Sequence, residues 1–134
     1  MTEMIVSTME TVVSQPREMV WAVVTDLDNW QWRGDLQRLE QTGPDTFVEY
    51  GKGGFATHFT VTCRREPEKW TFDLENASMK GAWIGEFQAV PEGTKITFTE
   101  RLTLKKKWMK LVMKGYLRRQ QARYLADLKR AMEK

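Results

Sequence analysis

Length, composition and charge exclude several classes of protein. The chain has 134 residues and a formal net charge of +3, which is the size of one domain, so we expect a single domain over residues 1–134. One cysteine, Cys63, excludes an intramolecular disulfide, and one histidine, His58, excludes the clusters that zinc sites need. We therefore expect no metal, no cofactor and a reducing, cytoplasmic setting. The N-terminal residues have no long apolar run, so we expect no secretory signal and no membrane-spanning helix there.

The charge is distributed unevenly along the chain. Residues 105–134 carry 11 Lys and Arg against 2 Asp and Glu, whereas residues 1–104 carry 10 against 16. The chain also has 6 tryptophans and 6 phenylalanines, and aromatic side chains bring large apolar area and often line ligand cavities. The sequence thus indicates an acidic, aromatic-rich body followed by a basic C-terminal segment.

The first predicted element is a strand that begins at Thr2 and ends at Val13, because this segment is rich in β-forming residues. Its inward face is ambiguous, since apolar residues stand on both sides. One row is Ile5, Met9 and Val13, and the other is Met4, Val6 and Val12.

A helix is predicted next. Pro16 is typical of the first helical position, with Gln15 or Ser14 as the cap, and the helix is expected to run to about Thr25. Residues 26–32 then predict a turn into a second short helix.

Turn signals recur at close intervals between Leu36 and Leu104, with β-forming runs between them. This pattern predicts an antiparallel meander of about six further strands. Alternation gives the sheet one wet and one dry face, and the dry rows are Phe59, Val61 and Cys63, then Trp70, Phe72 and Leu74, then Ile96, Phe98, Leu102 and Leu104.

The period changes over residues 108–132, where apolar side chains recur three and four residues apart. This spacing predicts one long amphipathic helix, loosened at Gly115. Its apolar stripe must be buried, and the dry face of the sheet is the partner large enough to bury it. The predicted fold class is therefore α+β, in the order strand, two short helices, six strands and one long helix.

The order and spacing of four segments along this chain resemble those of a known superfamily. They are Val13-Ser-Gln-Pro16-Arg-Glu18-Met-Val20-Trp21, then Asp26 with Trp30 or Trp32, then Gly93-Thr94-Lys95-Ile96-Thr97, and finally Leu125-Ala-Asp-Leu128-Lys129-Arg-Ala-Met-Glu133. Together they cover nearly the whole chain and resemble the SRPBCC superfamily, which includes START domains, the birch-pollen-allergen fold and polyketide cyclase/dehydrase-like proteins.

The resemblance implies a helix-grip fold, in which a seven-stranded curved antiparallel sheet wraps a long C-terminal helix. It also implies an apolar cavity between them for lipids, sterols, polyketides or other hydrophobic molecules. The superfamily has no universal catalytic motif, so membership implies binding more directly than catalysis.

Aromatic residues are more numerous than a closed core of this size needs, so we expect some of them to line such a cavity, together with residues of the last helix. Trp30 and Trp32 are expected near its mouth. The predicted ligand-binding residues are Trp21, Trp30, Trp32, Phe47, Phe59, Trp70, Phe72, Trp83, Phe87, Phe98, Glu100, Trp108, Val112, Met113, Tyr116, Leu117 and Gln120.

Glu100 is the first candidate for chemistry, because alternation places it on the dry face between Phe98 and Leu102. A carboxyl there has a raised pKa and can serve as a general acid or anchor a ligand hydroxyl. The alternatives are an ion pair with a basic residue of the helix and a bulge that turns Glu100 to solvent.

His58 is the second catalytic candidate, since it is the only imidazole. Its row is the polar one, so we expect it on the solvated face unless a bulge redirects it. Cys63, in the apolar row, is expected to act as a small buried hydrophobe.

The basic face of the last helix has three interpretations. It is a solvated surface, a nucleic-acid surface, which the lack of a basic stacking platform disfavours, or a membrane surface. The membrane interpretation depends on Lys105, Lys106, Lys107 and Trp108, which resemble an interfacial anchor.

The functional prediction is the binding, and possible transport, of a hydrophobic or aromatic small molecule in the cavity. Glu100 with Tyr116, Gln120 or Tyr124 would orient the polar end of the ligand. Two alternatives stay open, a polyketide cyclase/dehydrase-like enzyme with a cavity acid or base, and an interaction module similar to the Hsp90-activator branch.

Overall fold

The helices and strands follow one another as predicted, with an exception after the first helix. The computed structural model describes residues 4–133, and for Lys107 it describes the backbone alone; Thr2, the first residue of the predicted strand, lies outside this range. The strands are β1 (Met4–Val13), β2 (Leu36–Gln41), β3 (Thr46–Gly51), β4 (Ala56–Arg65), β5 (Lys69–Glu75), β6 (Met79–Val90) and β7 (Gly93–Leu104). The helices are α1 (Arg17–Thr25) and α2 (Lys110–Met132), and a 3₁₀ turn (Lys107–Met109) leads into α2.

All the strands belong to one antiparallel sheet of seven, in the order β1-β7-β6-β5-β4-β3-β2. Strands β2 to β7 form the predicted meander, and β1 pairs with β7 from Met4↔Thr103 to Val13↔Thr94. One face of the sheet, α1 and α2 share a single hydrophobic core. The α+β helix-grip architecture is therefore confirmed.

The ambiguous first strand has one clear inward face. Ile5 and Val13 are buried, whereas Met4, Val6 and Val12 are exposed. The row that contains Ile5 therefore faces the core, because β1 joins the sheet with this row on the side that α2 covers.

The second short helix is absent from the described chain, and this prediction was wrong. Asp26 ends α1 in an extended conformation, and its carboxylate accepts hydrogen bonds from the Asp28 backbone N–H (3.1 Å) and the Asn29 amide (2.7 Å). A side chain that bonds to the backbone two residues on stabilises a turn. Pro16 also lies one position earlier than predicted, at the N-cap itself, where no side-chain hydrogen bond caps the helix.

A bulge in β4 corrects the prediction for Cys63. The register shifts between Val61 and Cys63, so that Cys63 pairs with Thr71 of the wet row of β5. Cys63 is therefore half-buried instead of buried, because the extra residue moves it away from the dry face.

Helix α2 is continuous through Gly115, so the predicted loosening does not occur. Its buried residues are Met113, Leu117, Gln121, Leu125, Asp127, Leu128 and Met132. The apolar stripe predicted over residues 108–132 is confirmed at Leu117, Leu125, Leu128 and Met132. The prediction was wrong at the start of the helix, where Trp108, Leu111, Val112 and Tyr116 are exposed.

Candidate functional site

A cavity of about 980 Å³ lies between the concave face of the sheet, the turns after α1 and the first half of α2. Its lining includes exposed residues such as Phe55, Trp108 and Val112, so the cavity opens to solvent at that end. This volume suits a ligand of tens of atoms, since small-molecule sites commonly enclose about 300–1,000 Å³.

The floor of the cavity is a layer of aromatic rings on neighbouring strands. Phe47 of β3 pairs with Phe59 of β4 in the sheet register, and their rings stack with centroids 4.8 Å apart. Phe72 of β5 pairs with Trp83 of β6, and these rings stack at 4.7 Å. Cross-strand partners share one face of a sheet, so strict alternation on successive strands produces a continuous aromatic surface.

Helix α2 supplies the opposite wall with flexible and polar side chains. The helix residues that line the cavity are Val112, Met113, Tyr116, Leu117, Arg119, Gln120, Gln121, Arg123 and Tyr124. Methionine adapts to irregular shapes, and the Tyr116 hydroxyl accepts a 2.7 Å hydrogen bond from the Gln120 amide. The wall therefore offers polar handles among adaptable apolar groups.

A charged cluster closes one side of the cavity. The Arg33 guanidinium forms bidentate contacts with Glu49 (2.6 and 3.3 Å) and with Asp35 (2.9 and 3.3 Å), and its Cζ lies 4.9 Å from the centre of the Tyr124 ring. Burial alone would lower the pKa of Arg33, but the charges of Glu49 and Asp35 outweigh burial and raise it above its ordinary value. The guanidinium therefore stays charged and orders the residues around it.

The sequence interpretation missed Arg33, Asp35 and Glu49. Glu49 follows Phe47 by two positions on β3, so alternation already placed it on the inward face. Arg33 and Asp35 lie in the turns before β2, where no periodicity exists and only the fold brings them to Glu49.

Glu100 lines the cavity from β7, as alternation predicted. Burial raises its pKa to about 7; Arg33 and a hydrogen bond from Gln121 act in the opposite direction, and Glu49 adds to the increase. Gln121 is itself held by Ser7, whose hydroxyl donates to Gln121 Oε1 (2.8 Å) and whose carbonyl accepts from Gln121 Nε2 (3.0 Å). Glu100 is therefore a fixed carboxyl that exchanges its proton near neutral pH.

Two indole groups of the lining lack hydrogen-bond partners within residues 4–133. They are the buried Nε1 atoms of Trp32 and Trp70, and both residues line the cavity. A buried N–H without an acceptor costs free energy, so these donors favour an occupant with oxygen or nitrogen acceptors.

The structure brings together all of the predicted ligand-binding residues except Trp21 and Phe87. These two pack against each other with ring centroids 5.9 Å apart, because α1 covers the sheet at that end and leaves no space. His58 is exposed on the other face of β4 and lies outside the lining, so its polar row predicted its place correctly and it cannot reach a ligand in the cavity.

The residues of the predicted interfacial anchor lie beside the cavity mouth. Trp108 lines the mouth and is exposed, Lys106 is exposed, and the Lys105 ammonium pairs with the Glu75 carboxylate at 2.9 Å. The side chain of Lys107 is outside the described part of the chain.

Across residues 4–133, no group of three or more His, Cys, Asp and Glu side chains is placed to hold a metal ion. In the same range, neither helix has the length and hydropathy needed to cross a bilayer.

The model of a protein family described as polyketide cyclase / dehydrase and lipid transport matches residues 4–133. The chain belongs to this family. This match confirms the resemblance to the SRPBCC superfamily and to its polyketide cyclase-like branch. A search of curated proteins found no match to the chain.

Solved structures share the fold of this chain. A START superfamily protein from Mycobacterium smegmatis is 14% identical, with a TM-score of 0.83 and coverage of 97% of both chains. A protein of unknown function from Staphylococcus aureus is 13% identical, with a TM-score of 0.81 and coverage of 98% of this chain and 95% of that one. An uncharacterised protein from Rhizobium leguminosarum is 18% identical, with a TM-score of 0.77 and coverage of 99% and 97%. At these identities the likeness concerns the fold.

Proposed function

We propose that this protein binds, and transports, a hydrophobic small molecule with aromatic rings and an oxygen-bearing polar end in the cavity between the sheet and α2. The observation that carries the proposal is the lining, in which stacked aromatic rings face an adaptable helix wall. Each Å² of apolar ligand surface removed from water contributes about 25 cal/mol, so ring burial would supply most of the affinity.

The polar end of the ligand would lie at Glu100, which lines the cavity beside Gln121. When protonated, the carboxyl donates a hydrogen bond to a carbonyl oxygen, and when ionised it accepts one from a hydroxyl. The indole N–H groups of Trp32 and Trp70 offer two further donors. The preferred ligand therefore carries carbonyl or hydroxyl oxygens on a largely apolar skeleton.

A cytoplasmic location belongs to this proposal and rests on composition, since a single cysteine suits a reducing compartment. A membrane surface would be a second partner. The segment that would contact it is residues 105–116, which is rich in lysine.

The first test is native mass spectrometry of freshly purified protein, followed by organic extraction of any adduct. We expect a hydrophobic adduct at a one-to-one ratio. A mass equal to the bare chain, with no adduct after incubation with lipids and aromatic polyketides, would contradict the proposal and favour the Hsp90-activator-like alternative, which a pull-down then tests.

Two threonines of β4 provide a matched pair of variants for this test. Thr57 lines the cavity, whereas Thr60 is exposed on the opposite face of the same strand. We expect Thr57→Trp to fill part of the cavity and lose the adduct, and Thr60→Trp to keep it. Melting temperatures of both variants show whether a loss reflects folding.

A reaction of the polyketide cyclase or dehydrase type is the second candidate function, and Glu100 is the observation that favours it. A cavity carboxyl with a pKa of about 7 is suited to transfer protons at neutral pH. In an enzyme, Glu100→Gln would keep ligand binding and abolish turnover, whereas His58→Ala would change neither because His58 is outside the lining.

A further inference from the structure

Apolar side chains that are open to solvent surround the mouth of the cavity. We call this surface the rim and define it as Phe55, Trp108, Leu111, Val112 and Tyr116, all of them exposed. Phe55 is 73% exposed, Trp108 67% and Leu111 91%. Every rim residue except Leu111 also lines the cavity, so the rim lies where a ligand enters.

The rim arises from the way the first turns of α2 meet the sheet. Met113 and Leu117 point into the core, and Trp108, Val112 and Tyr116 follow one another at intervals of four, which makes a second row on the helix. The cavity occupies the space that this second row would otherwise fill. These side chains therefore remain uncovered within the described chain.

Positive charge accompanies the rim. The segment 105–116 has five lysines and no acidic residue. Lys106, next to Trp108 in sequence, is exposed, and Lys52 is exposed in the same loop as Phe55, whereas Lys110 and Lys114 lie beside Met4 and Val6 of β1. Single exposed apolar residues are ordinary on protein surfaces, but an aromatic and aliphatic group beside lysines is the composition of a helix that lies in a membrane interface.

We propose that the rim docks on an anionic lipid bilayer, with Trp108 and Leu111 inserted among the headgroups and the neighbouring lysines on the lipid phosphates. Charge complementarity selects this partner over a neutral surface. The proposal goes beyond ligand binding, because docking would place the cavity mouth against the membrane, so that an apolar ligand enters or leaves without crossing water.

Vesicle co-sedimentation tests the docking without any ligand. Wild-type protein is mixed with vesicles of phosphatidylcholine alone and with vesicles that contain phosphatidylserine. We expect binding to the anionic vesicles that weakens as salt is added, and weak binding to the neutral ones. Failure to sediment with anionic vesicles at low salt would overturn the proposal, whether or not the cavity holds a ligand.

Two pairs of variants separate docking at the rim from general attraction. Leu111→Ser should weaken vesicle binding by about tenfold, whereas Met19→Ser, an exposed apolar residue of α1 outside the rim, should not. Lys106→Glu should weaken binding by about tenfold, whereas Lys129→Glu, an exposed lysine at the far end of α2, changes the net charge equally and should have a small effect. All four side chains are exposed, so melting temperatures should stay close to that of the wild type.

Other occupants of the rim give different results. Equal losses from Lys106→Glu and Lys129→Glu would mean attraction by net charge alone and would overturn the proposal. Light scattering that shows a concentration-dependent dimer, lost in Leu111→Ser, together with no vesicle binding, would assign the rim to a second copy of the chain. Binding of soluble polyglutamate as tight as that of vesicles would assign it to an acidic protein.

Discussion

The two halves of α2 have the same amphipathic pattern but different roles. In residues 121–132, Leu125 and Leu128 are buried, Gln121 bonds to Ser7, and the Asp127 carboxylate accepts a 2.9 Å hydrogen bond from the Gly34 backbone N–H. In residues 110–120, only Met113 and Leu117 are buried among the apolar residues, and the others border the cavity or its mouth. The helix therefore closes the core from Leu125 onward, and the cavity-lining residues of the helix lie between Val112 and Tyr124.

The largest expected effect is a loss of folding stability, and it differs between two leucine-to-alanine substitutions, one in each half of the helix. Leu128 is fully buried and Leu111 is almost fully exposed. Leu128→Ala should lower the free energy of unfolding by about 2–5 kcal/mol, because it leaves a cavity in a packed region, whereas Leu111→Ala should change it by less than about 0.5 kcal/mol. Urea denaturation measures both values, and similar losses would contradict the division of the helix.

The next prediction concerns Glu100, which contacts Gln121 at the junction of the halves. Its pKa is raised from 4.5 to about 7 in the folded protein. Between these values the unfolded chain releases the proton while the folded chain keeps it, so the stability from this group is present below pH 4.5 and is lost as the pH rises toward 7. Relative to Glu100→Gln, the wild type should lose on the order of 3 kcal/mol over this window. A pH-independent difference between the two proteins would contradict the burial of Glu100.

Gln121 should matter less than Leu128 but more than its exposed neighbours. Gln121→Ala removes both bonds to Ser7 and the bond to Glu100, and should cost about 1–3 kcal/mol in the free energy of unfolding. Because the Gln121 bond lowers the pKa of Glu100, the same variant should raise that pKa further, which NMR titration of the carboxyl would detect. Gln120→Ala, on the cavity side of the helix, is the control and should leave the pKa in place.

The smallest predicted effect is a gain in stability. Gly115 lies inside α2, and a Cβ there would meet only Arg119 Nη1, at 3.8 Å. Gly115→Ala should therefore raise the free energy of unfolding by up to about 1 kcal/mol, and Ala126→Gly, at an exposed site of the second half, should lower it by a similar amount. Thermal denaturation compares the two, and a loss from Gly115→Ala would mean that this turn needs glycine for another reason.

Much of the cavity floor was predictable because strands have a strict period of two. Phe72 and Trp70 had to share a face, and Phe47 and Phe59 had to meet once their strands paired. The same rule placed Glu100 inside and His58 outside. The rule failed at Cys63, because a bulge depends on local pairing that alternation cannot include. The separate prediction of a short helix after Asp26 was wrong because hydrogen bonds from the Asp28 backbone and the Asn29 side chain to the Asp26 carboxylate stabilise a turn there.

The charged side of the cavity depended on the tertiary structure. Arg33 and Glu49 are 16 positions apart, with β2 and two turns between them, and Arg33 lies in the first of these turns, where no backbone period specifies the direction of its side chain. The exclusion of Trp21 and Phe87 from the cavity also required the position of α1, which covers them.

The sequence by itself determined the order of the strands and of α1 and α2, and the inward face of the strands in which apolar and polar residues alternate, because these follow from backbone periods and local turn chemistry. Only the tertiary structure decided which row of β1 is buried, and that Leu125 and Leu128 are buried whereas Leu111 and Val112 are exposed. The physical reason is that burial depends on which side chains meet across the helix and the sheet, and no backbone period specifies those partners.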